Sequence, residues 1–279
     1  MYIKCWGSRG SIPVSGSEYL KYGGDTTCLE IRSKEDDIII VDAGTGIRRL
    51  GNHLMEEKRY RYHFIFTHAH WDHVMGFPFF KPIFSGKAHF VMHRCPFHSK
   101  FVETILSKVM APPNFPVRLA EIKASMEYVD ACPVTFTIGS ISVTPISLSH
   151  PNGGSGYRFE EDGRSFVFLT DNELGFIHPG GQDMDAYVDF SRGADLLVHD
   201  AEYTPEEYPS RLEWGHSAFT DTVALAQRAG VSRLGLFHIN QERTDDQVDE
   251  MVAACNDILA RDKSAIDCFA VAGDMEFSL

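Results

Sequence analysis

Short apolar runs typical of β-strands dominate the start of the chain, and turn-forming residues separate them. These runs lie at 2–7, 26–33, 37–44 and 62–68. Between the last two, the segment "GIRRLGNHLMEE" places Ile47, Leu50 and Leu54 at helical spacing. The spacing predicts a helix that packs one apolar face against the neighbouring strands.

The rest of the chain continues the alternation of strands and helices. Strand-like runs lie at 87–93, 133–139, 141–150, 156–171, 195–202, 233–238 and 268–273, and helical patterns at 96–109, 217–230 and 245–262. A turn signal at Asp162-Gly163 indicates a hairpin within one of these runs. No linker or low-complexity segment interrupts the chain. The pattern predicts one α/β domain over residues 1–279, in which helices cover packed sheets.

Two of the apolar runs resemble each other. "IIIVDAG" occupies 38–44 and "LLVHDAE" occupies 196–202, so each half of the chain contains a buried run that ends in Asp-Ala. The repetition indicates a weak internal duplication, and we expect two similar halves.

Composition narrows the partners and the location. The chain has 26 Lys and Arg against 39 Asp and Glu, a formal charge of −13, and no basic stripe interleaved with aromatic residues. Such a surface disfavours DNA. The sequence contains no leader-like segment and no apolar stretch long enough to cross a bilayer, and its six cysteines form no C-x-x-C pair. We therefore expect a cytoplasmic protein with reduced thiols and no membrane partner.

The turn that follows the run at 62–68 is rich in metal-binding side chains. "FTHAHWDHVMG" contains His68, His70, Asp72 and His73 within six positions. Side chains alternate along a strand, so the first two histidines point to the same side, and the other two residues converge on a nearby point. Imidazole and carboxylate without cysteine favour a hydrolytic metal site with open positions over a closed structural site.

Further candidate ligands end other strand-like runs. His150 ends "TPISLSH", Asp171 ends "FVFLTD", and His238 ends "RLGLFH". The order H-x-H-x-D-H, His, Asp, His at strand ends resembles the metallo-β-lactamase superfamily. "GHSAFTDTVALAQRAGVSRLGLFH", "LLVHDAEYTPEEY", "GSRGSIP" and "VDAGTGIRRL" are similar to segments of its tRNase Z and cyclic phosphodiesterase branch. The resemblance covers nearly the whole chain and implies a four-layer αββα sandwich built from two similar halves.

The resemblance also implies a binuclear site at the edge of the sandwich. It assigns one ion to His68, His70 and His150, the other to Asp72, His73 and His238, and both ions to Asp171. Asp42, which ends "IIIVD", would hold a ligand histidine in one tautomer. Zinc is the favoured metal, with manganese or iron as alternatives, because shells of histidine, aspartate and water discriminate poorly among them.

A phosphodiesterase mechanism follows from this site. A hydroxide that bridges the two ions would attack phosphorus, and His216 would protonate the leaving oxygen. Asp200 would orient His216 and keep it charged, although family members usually read His-Glu-Ala-Thr where this chain reads His-Asp-Ala-Glu at 199–202. The expected catalytic residues are His216, Asp200 and Asp72. Arg9, Asn152 and Gly153 are weaker candidates for substrate contacts.

The expected substrate is a small or cyclic nucleotide-like phosphodiester. tRNase Z enzymes carry a long arm, whereas only "PNGGSGYRFEEDGRSFVFLT" separates His150 from Asp171 here. The short segment and the acidic charge predict that tRNA is not a partner. A lactonase or other ester hydrolase on the same metals is the alternative, and a non-catalytic metal-binding module is the third reading. The oligomeric state stays open between a monomer and a homodimer.

Overall fold

The computed structural model describes residues 1–94, 101–130 and 135–279. Within them, the strands form two sheets. In the first sheet, the neighbouring strands are, in order, β14 (Glu276–Ser278), β1 (Tyr2–Gly7), β2 (Cys28–Arg32), β3 (Ile38–Val41), β4 (Arg61–Ile65), β5 (His89–Arg94) and β6 (Ser125–Asp130). In the second, they are β13 (Asp267–Ala270), β12 (Arg233–Phe237), β11 (Leu196–Asp200), β10 (Arg164–Leu169), β9 (Ser155–Glu161), β8 (Ile141–Ser147) and β7 (Phe136–Ile138).

Both sheets change from antiparallel to parallel pairing at the fourth of their seven strands. In the first, pairing is antiparallel from β14 to β3 and parallel from β3 to β6. In the second, it is antiparallel from β7 to β10 and parallel from β10 to β13. Two similar halves are therefore present. The structural counterpart of β3 is β10 rather than β11, so the alignment of 38–44 with 196–202 is wrong by one strand.

Helices cover the outer faces of the two sheets. They are α1 (Ile47–Glu56), α2 (Trp71–Val74), α3 (Phe101–Val109), α4 (Met184–Ser191), α5 (Phe219–Ala229) and α6 (Asp245–Arg261). One apolar cluster joins α1 and α3 to the first sheet, and another joins α4, α5 and α6 to the second. A third cluster, which contains Ile39, Tyr157 and Phe168, fills the space between the sheets. The four-layer αββα sandwich is confirmed.

The apolar pattern located most of these elements within a few residues. It did not indicate β6, β14, α2 or α4. Of these, β14, α2 and α4 are too short to carry a clear periodicity. The predicted helix over 96–109 begins among residues outside the described part, as does the run at 133–139. None of the helices in the described residues is long and apolar enough to cross a membrane.

Candidate metal centre and active site

The candidate residues meet because the parallel strands of both sheets end at one edge. β4 runs into the histidine turn and α2, and β10, β11 and β12 end near Asp171, Asp200 and His238. Asp171 and His238 have positive φ values of 53° and 57°. Left-handed backbone is strained for residues with a side chain and concentrates at functional sites. In this protein, both residues lie just after the end of a strand. Their left-handed backbone turns the chain there and leaves each side chain near the ends of the neighbouring strands.

One group contains three histidines and an aspartate. The ligand atoms of His68, His70, His150 and Asp171 all lie within 4.8 Å of one another. Nε2 of His68 is 3.5 Å from Oδ1 of Asp171, and Nε2 of His150 is 3.8 Å from the same oxygen. Nδ1 of His70 lies 2.9 Å from Nε2 of His150. These four side chains enclose a space suited to one cation.

A second group shares Asp171 with the first. The ligand atoms of Asp72, His73, Asp171 and His238 also lie within 4.8 Å of one another. Nε2 of His73 is 3.2 Å from Oδ2 of Asp72 and 3.2 Å from Oδ2 of Asp171. Nε2 of His238 is 3.2 Å from Oδ2 of Asp72 and 3.2 Å from Oδ1 of Asp171. Asp171 thus lies between the groups, where a bridging ligand would be required.

Unpaired nitrogens provide a test of whether these residues fit metal ions. Nε2 of His68 and Nε2 of His73 are buried and make no hydrogen bond. A buried polar atom without a partner is costly, and native proteins rarely leave one unless an ion, a water or a functional role accounts for it. Both atoms face carboxylate oxygens of the two groups. The residues therefore fit divalent cations.

The other ring nitrogen, Nδ1, of two candidate ligand histidines bonds to groups of the protein. Nδ1 of His73 lies 2.8 Å from Oδ2 of Asp42, which also accepts from the Thr67 hydroxyl at 2.6 Å. Nδ1 of His150 lies 2.8 Å from the carbonyl oxygen of Gly215. Nδ1 bonds of this kind fix the tautomer and leave Nε2 for a metal. Asp42 lies where its predicted orienting role requires.

Glu202 has a corresponding position that the sequence reasoning missed. Its Oε2 lies 2.9 Å from Nδ1 of His238, and its Oε1 accepts from Nδ2 of Asn240 at 2.7 Å. Glu202 is only 3% exposed. The available signal was the glutamate at the end of "VHDAE", two positions after Asp200. In the sequence, this glutamate stands out only as a departure from the family's His-Glu-Ala-Thr pattern.

Glu173 is a second buried carboxylate that the sequence did not single out. Its Oε2 lies 2.8 Å from Nε2 of His178 and accepts from the amide of Gly215 at 2.7 Å. The carbonyl oxygen of Gly215 in turn accepts a hydrogen bond from Nδ1 of His150. Glu173 therefore anchors the loop that orients one candidate ligand. Only the fold reveals this, because Gly215 lies 42 positions away along the chain.

His216 and Asp200 form a pair beside the second group. Nδ1 of His216 lies 2.7 Å from Oδ2 of Asp200, and the His216 ring stacks on His238 with 4.4 Å between centroids. Burial alone would lower the pKa of His216, but the charges of Glu202 and Asp200 outweigh it and raise the pKa to about 9. The two carboxylates therefore favour the protonated form of His216. Asp200 reaches it despite being shorter than glutamate.

Burial and charge separate the protonation states of the candidate ligands. Burial lowers the pKa of His150 to about 3, so its imidazole is neutral, the form that binds metals. Burial alone would raise the pKa of Asp171, but His238 and His73 lower it well below the ordinary range. Asp171 is thus held as a carboxylate.

The position of Arg9 does not favour its predicted substrate-binding role. It is fully buried, and its guanidinium donates to the carbonyl oxygens of Gly23, Asn240 and Arg243. Four of its five N–H donors join the first loop to the segment after β12, and its burial keeps the guanidinium away from a phosphate. The same loop contributes in another way, because the amide of Ser11 donates to Oδ2 of Asp72 at 3.0 Å.

Asn152 and Gly153 lie at the rim of the first group. Both have positive φ values, 67° and 78°, and Nδ2 of Asn152 lies 3.4 Å from Nε2 of His70. Asn152 is exposed. The tight loop after His150 therefore borders the site, and contact with a substrate stays a prediction for both residues.

The sequence and the fold match known proteins. The family model "Beta-lactamase superfamily domain" matches residues 38–239. A ribonuclease Z from Haloarcula marismortui is 23% identical, over 90% of this chain and 90% of its own length. Unliganded yeast PDE1 superposes with a TM-score of 0.70 at 13% identity, covering 100% of this chain and 99% of that one. Human tRNase Z, short form, superposes with a TM-score of 0.64 at 16% identity, covering 100% and 99%.

These relatives overturn the expectation that tRNA is not a partner. Several relatives that match most of this chain carry the name ribonuclease Z, and a tRNase Z shares the fold over the full length. The expectation used net charge, which averages the whole surface, whereas a nucleic acid responds to local charge that metal ions can supply. The fold also implies divalent metal ions. Since the family model covers more than half of the chain, the chain belongs to the metallo-β-lactamase superfamily, and it is similar to the tRNase Z-like branch of that superfamily.

Proposed function

We propose that the protein is a phosphodiesterase that uses two divalent ions, with zinc favoured over manganese and iron. His68, His70 and His150 would hold one ion, Asp72, His73 and His238 the other, and Asp171 both. When bound, the ions supply an activated water nucleophile and positive charge for the phosphoryl oxygens. The protein's own contribution is to hold these ligands in place, which Asp42 does for His73 and Glu202 for His238.

The observation that carries the proposal is the Asp200–His216 pair. Phosphodiester cleavage releases an alkoxide, which needs a proton, whereas a lactonase has little need for such an acid. Asp200 occupies Nδ1 of His216 at 2.7 Å and leaves Nε2 to face a substrate. His216 lies beside His238 and His150, at ring distances of 4.4 Å and 5.2 Å. A protonated imidazole at this position is suited to donate to the leaving oxygen.

The proposal includes two kinds of phosphodiester. The name of the Haloarcula marismortui relative favours an RNA ester. A small or cyclic nucleotide-like ester, as expected from the sequence, uses the same chemistry. In either case the scissile phosphate would lie between the two ligand groups and His216.

A substrate panel tests the proposal. Purified, metal-loaded protein is offered a precursor tRNA, cyclic nucleotides, bis-p-nitrophenyl phosphate and several lactones, with His216→Ala measured in parallel. We expect turnover of at least one phosphodiester that depends on His216 when the leaving group is an alcohol. Turnover of lactones alone, or of none of these compounds by fully loaded protein, would reject it.

A further inference from the structure

A cavity of about 290 Å³ adjoins the candidate site at His216. Its wall also includes Glu202, the carboxylate that contacts His238. The volume lies at the small end of ligand-binding sites, which span roughly 300–1,000 Å³. Because His216 is the proposed proton donor, the cavity lies where the departing group of a phosphodiester would be held.

A flat aromatic surface forms part of this cavity. Trp214 lines it and is 57% exposed, and the guanidinium of Arg211 lies 4.7 Å from the Trp214 ring centroid. The arginine restrains the indole through a cation–π contact. An aromatic face in the wall of a cavity is available to stack on a planar ligand group. The geometry favours a planar ligand group.

Carboxylates outnumber cationic side chains in the cavity. The wall contains the carboxylates of Glu202, Glu207 and Glu242, against Arg211 and His216 in its described part. A neutral ring with N–H donors would find acceptors there, whereas a second phosphate would meet the carboxylates. Asn240 and Ser210 add polar side chains to the same wall. A nucleobase combines the planar face, the neutral charge and the donor edge.

We propose that this cavity binds the base of the leaving nucleoside, stacked on Trp214. The proposal rests on the proposed phosphodiesterase function, because it places the nucleoside on the side of the phosphate that His216 protonates. It assigns Trp214 and Arg211 to substrate selection. Base–aromatic stacking tolerates every base, so affinity would depend more on the presence of a base than on its identity.

Calorimetric titration of metal-loaded protein with adenosine tests the cavity without requiring turnover, and ribose serves as the ligand without a base. Trp214→Ala removes the ring, and Trp214→Phe keeps an aromatic face. Leu212→Ala is the matched control, because Leu212 is an exposed apolar residue of the same loop, 46% exposed, and is not among the lining residues.

We expect saturable binding of adenosine but not of ribose. Trp214→Ala should weaken adenosine binding on the order of tenfold or more, while Trp214→Phe and Leu212→Ala should change it by less than about threefold. Absence of adenosine binding, or equal affinity in wild type and Trp214→Ala, would overturn the proposal.

Hydrolysis of bis-p-nitrophenyl phosphate on the same preparation separates this proposal from the proposed function. Hydrolysis without adenosine binding would reject the cavity assignment alone. Adenosine binding through Trp214 without hydrolysis of any phosphodiester would support the cavity as a nucleoside site and reject the phosphodiesterase.

Discussion

Asp200, at the end of β11, holds His216 through a hydrogen bond to its imidazole ring. Oδ2 of Asp200 lies 2.7 Å from Nδ1 of His216, and Oδ1 accepts from the amide of Ser217 at 2.9 Å. The carboxylate is fully buried. Because both oxygens are engaged, the imidazole has one orientation and a charged partner. The loop before α5 is thereby tied to β11, and the His216 ring is held against His238.

His216→Ala should retain the metal ions and lose catalytic rate, if His216 is the general acid. The loss should be on the order of 10²- to 10⁴-fold for an ester with an alkyl leaving group. It should be much smaller for p-nitrophenolate, which departs without a proton. Steady-state rates on both esters, with elemental analysis of the variant, provide the measurement. Equal losses on both esters, or loss of metal, would instead make His216 a residue that shapes the site.

Asp200→Asn should produce a smaller defect in the same direction. The amide keeps the shape of the side chain but removes the negative charge that favours the imidazolium of His216. The rate on the alkyl ester should fall more than the rate on the p-nitrophenyl ester. A defect confined to metal content would contradict the positioning role.

Asp171→Ala should lower the occupancy of both ions together with activity. Asp171 is the residue shared by the two ligand groups, so its removal leaves each group with three candidate ligands. Elemental analysis per chain is the measurement, and Asp185→Ala, at an exposed aspartate, is the control. A variant that keeps two ions would reject the bridging assignment.

Glu202→Gln should weaken metal binding without removing a ligand. The carboxylate accepts from Nδ1 of His238, and loss of such orienting partners costs about 10- to 100-fold in metal affinity or activity. Competition against a chelator gives the affinity. Glu206→Gln, four positions along and exposed, is the matched control. Unchanged affinity in Glu202→Gln would show that His238 is held by other contacts.

Arg9→Lys should destabilise the fold and leave substrate affinity unchanged. A lysine cannot reproduce the fork of donors to the carbonyls of Gly23, Asn240 and Arg243. We expect a loss on the order of 2–5 kcal/mol in the free energy of unfolding, measured by urea titration. Unchanged stability with a raised KM would restore the discarded role of Arg9 in substrate binding.

The sequence predicted the features that depend on local pattern. Strand runs followed by polar residues indicate which side chains lie at strand ends, and the parallel strands of an α/β fold end at one edge. His68, His150, Asp171 and His238 could therefore be grouped before the fold was known. The structure brings these side chains together, and their role as ligands stays part of the proposal.

Tertiary structure decided the features that depend on contacts between distant segments. Nothing local distinguishes Arg9 as a structural clamp, because its acceptor Arg243 lies 234 positions away. Glu202 holds His238 across 36 positions, and Glu173 reaches the amide of Gly215 across 42. The counterpart of β3 also emerged only from strand pairing. A sequence specifies which polar groups exist, but the packing of strands and loops decides which of them meet, because burial is costly for polar groups that stay unpaired.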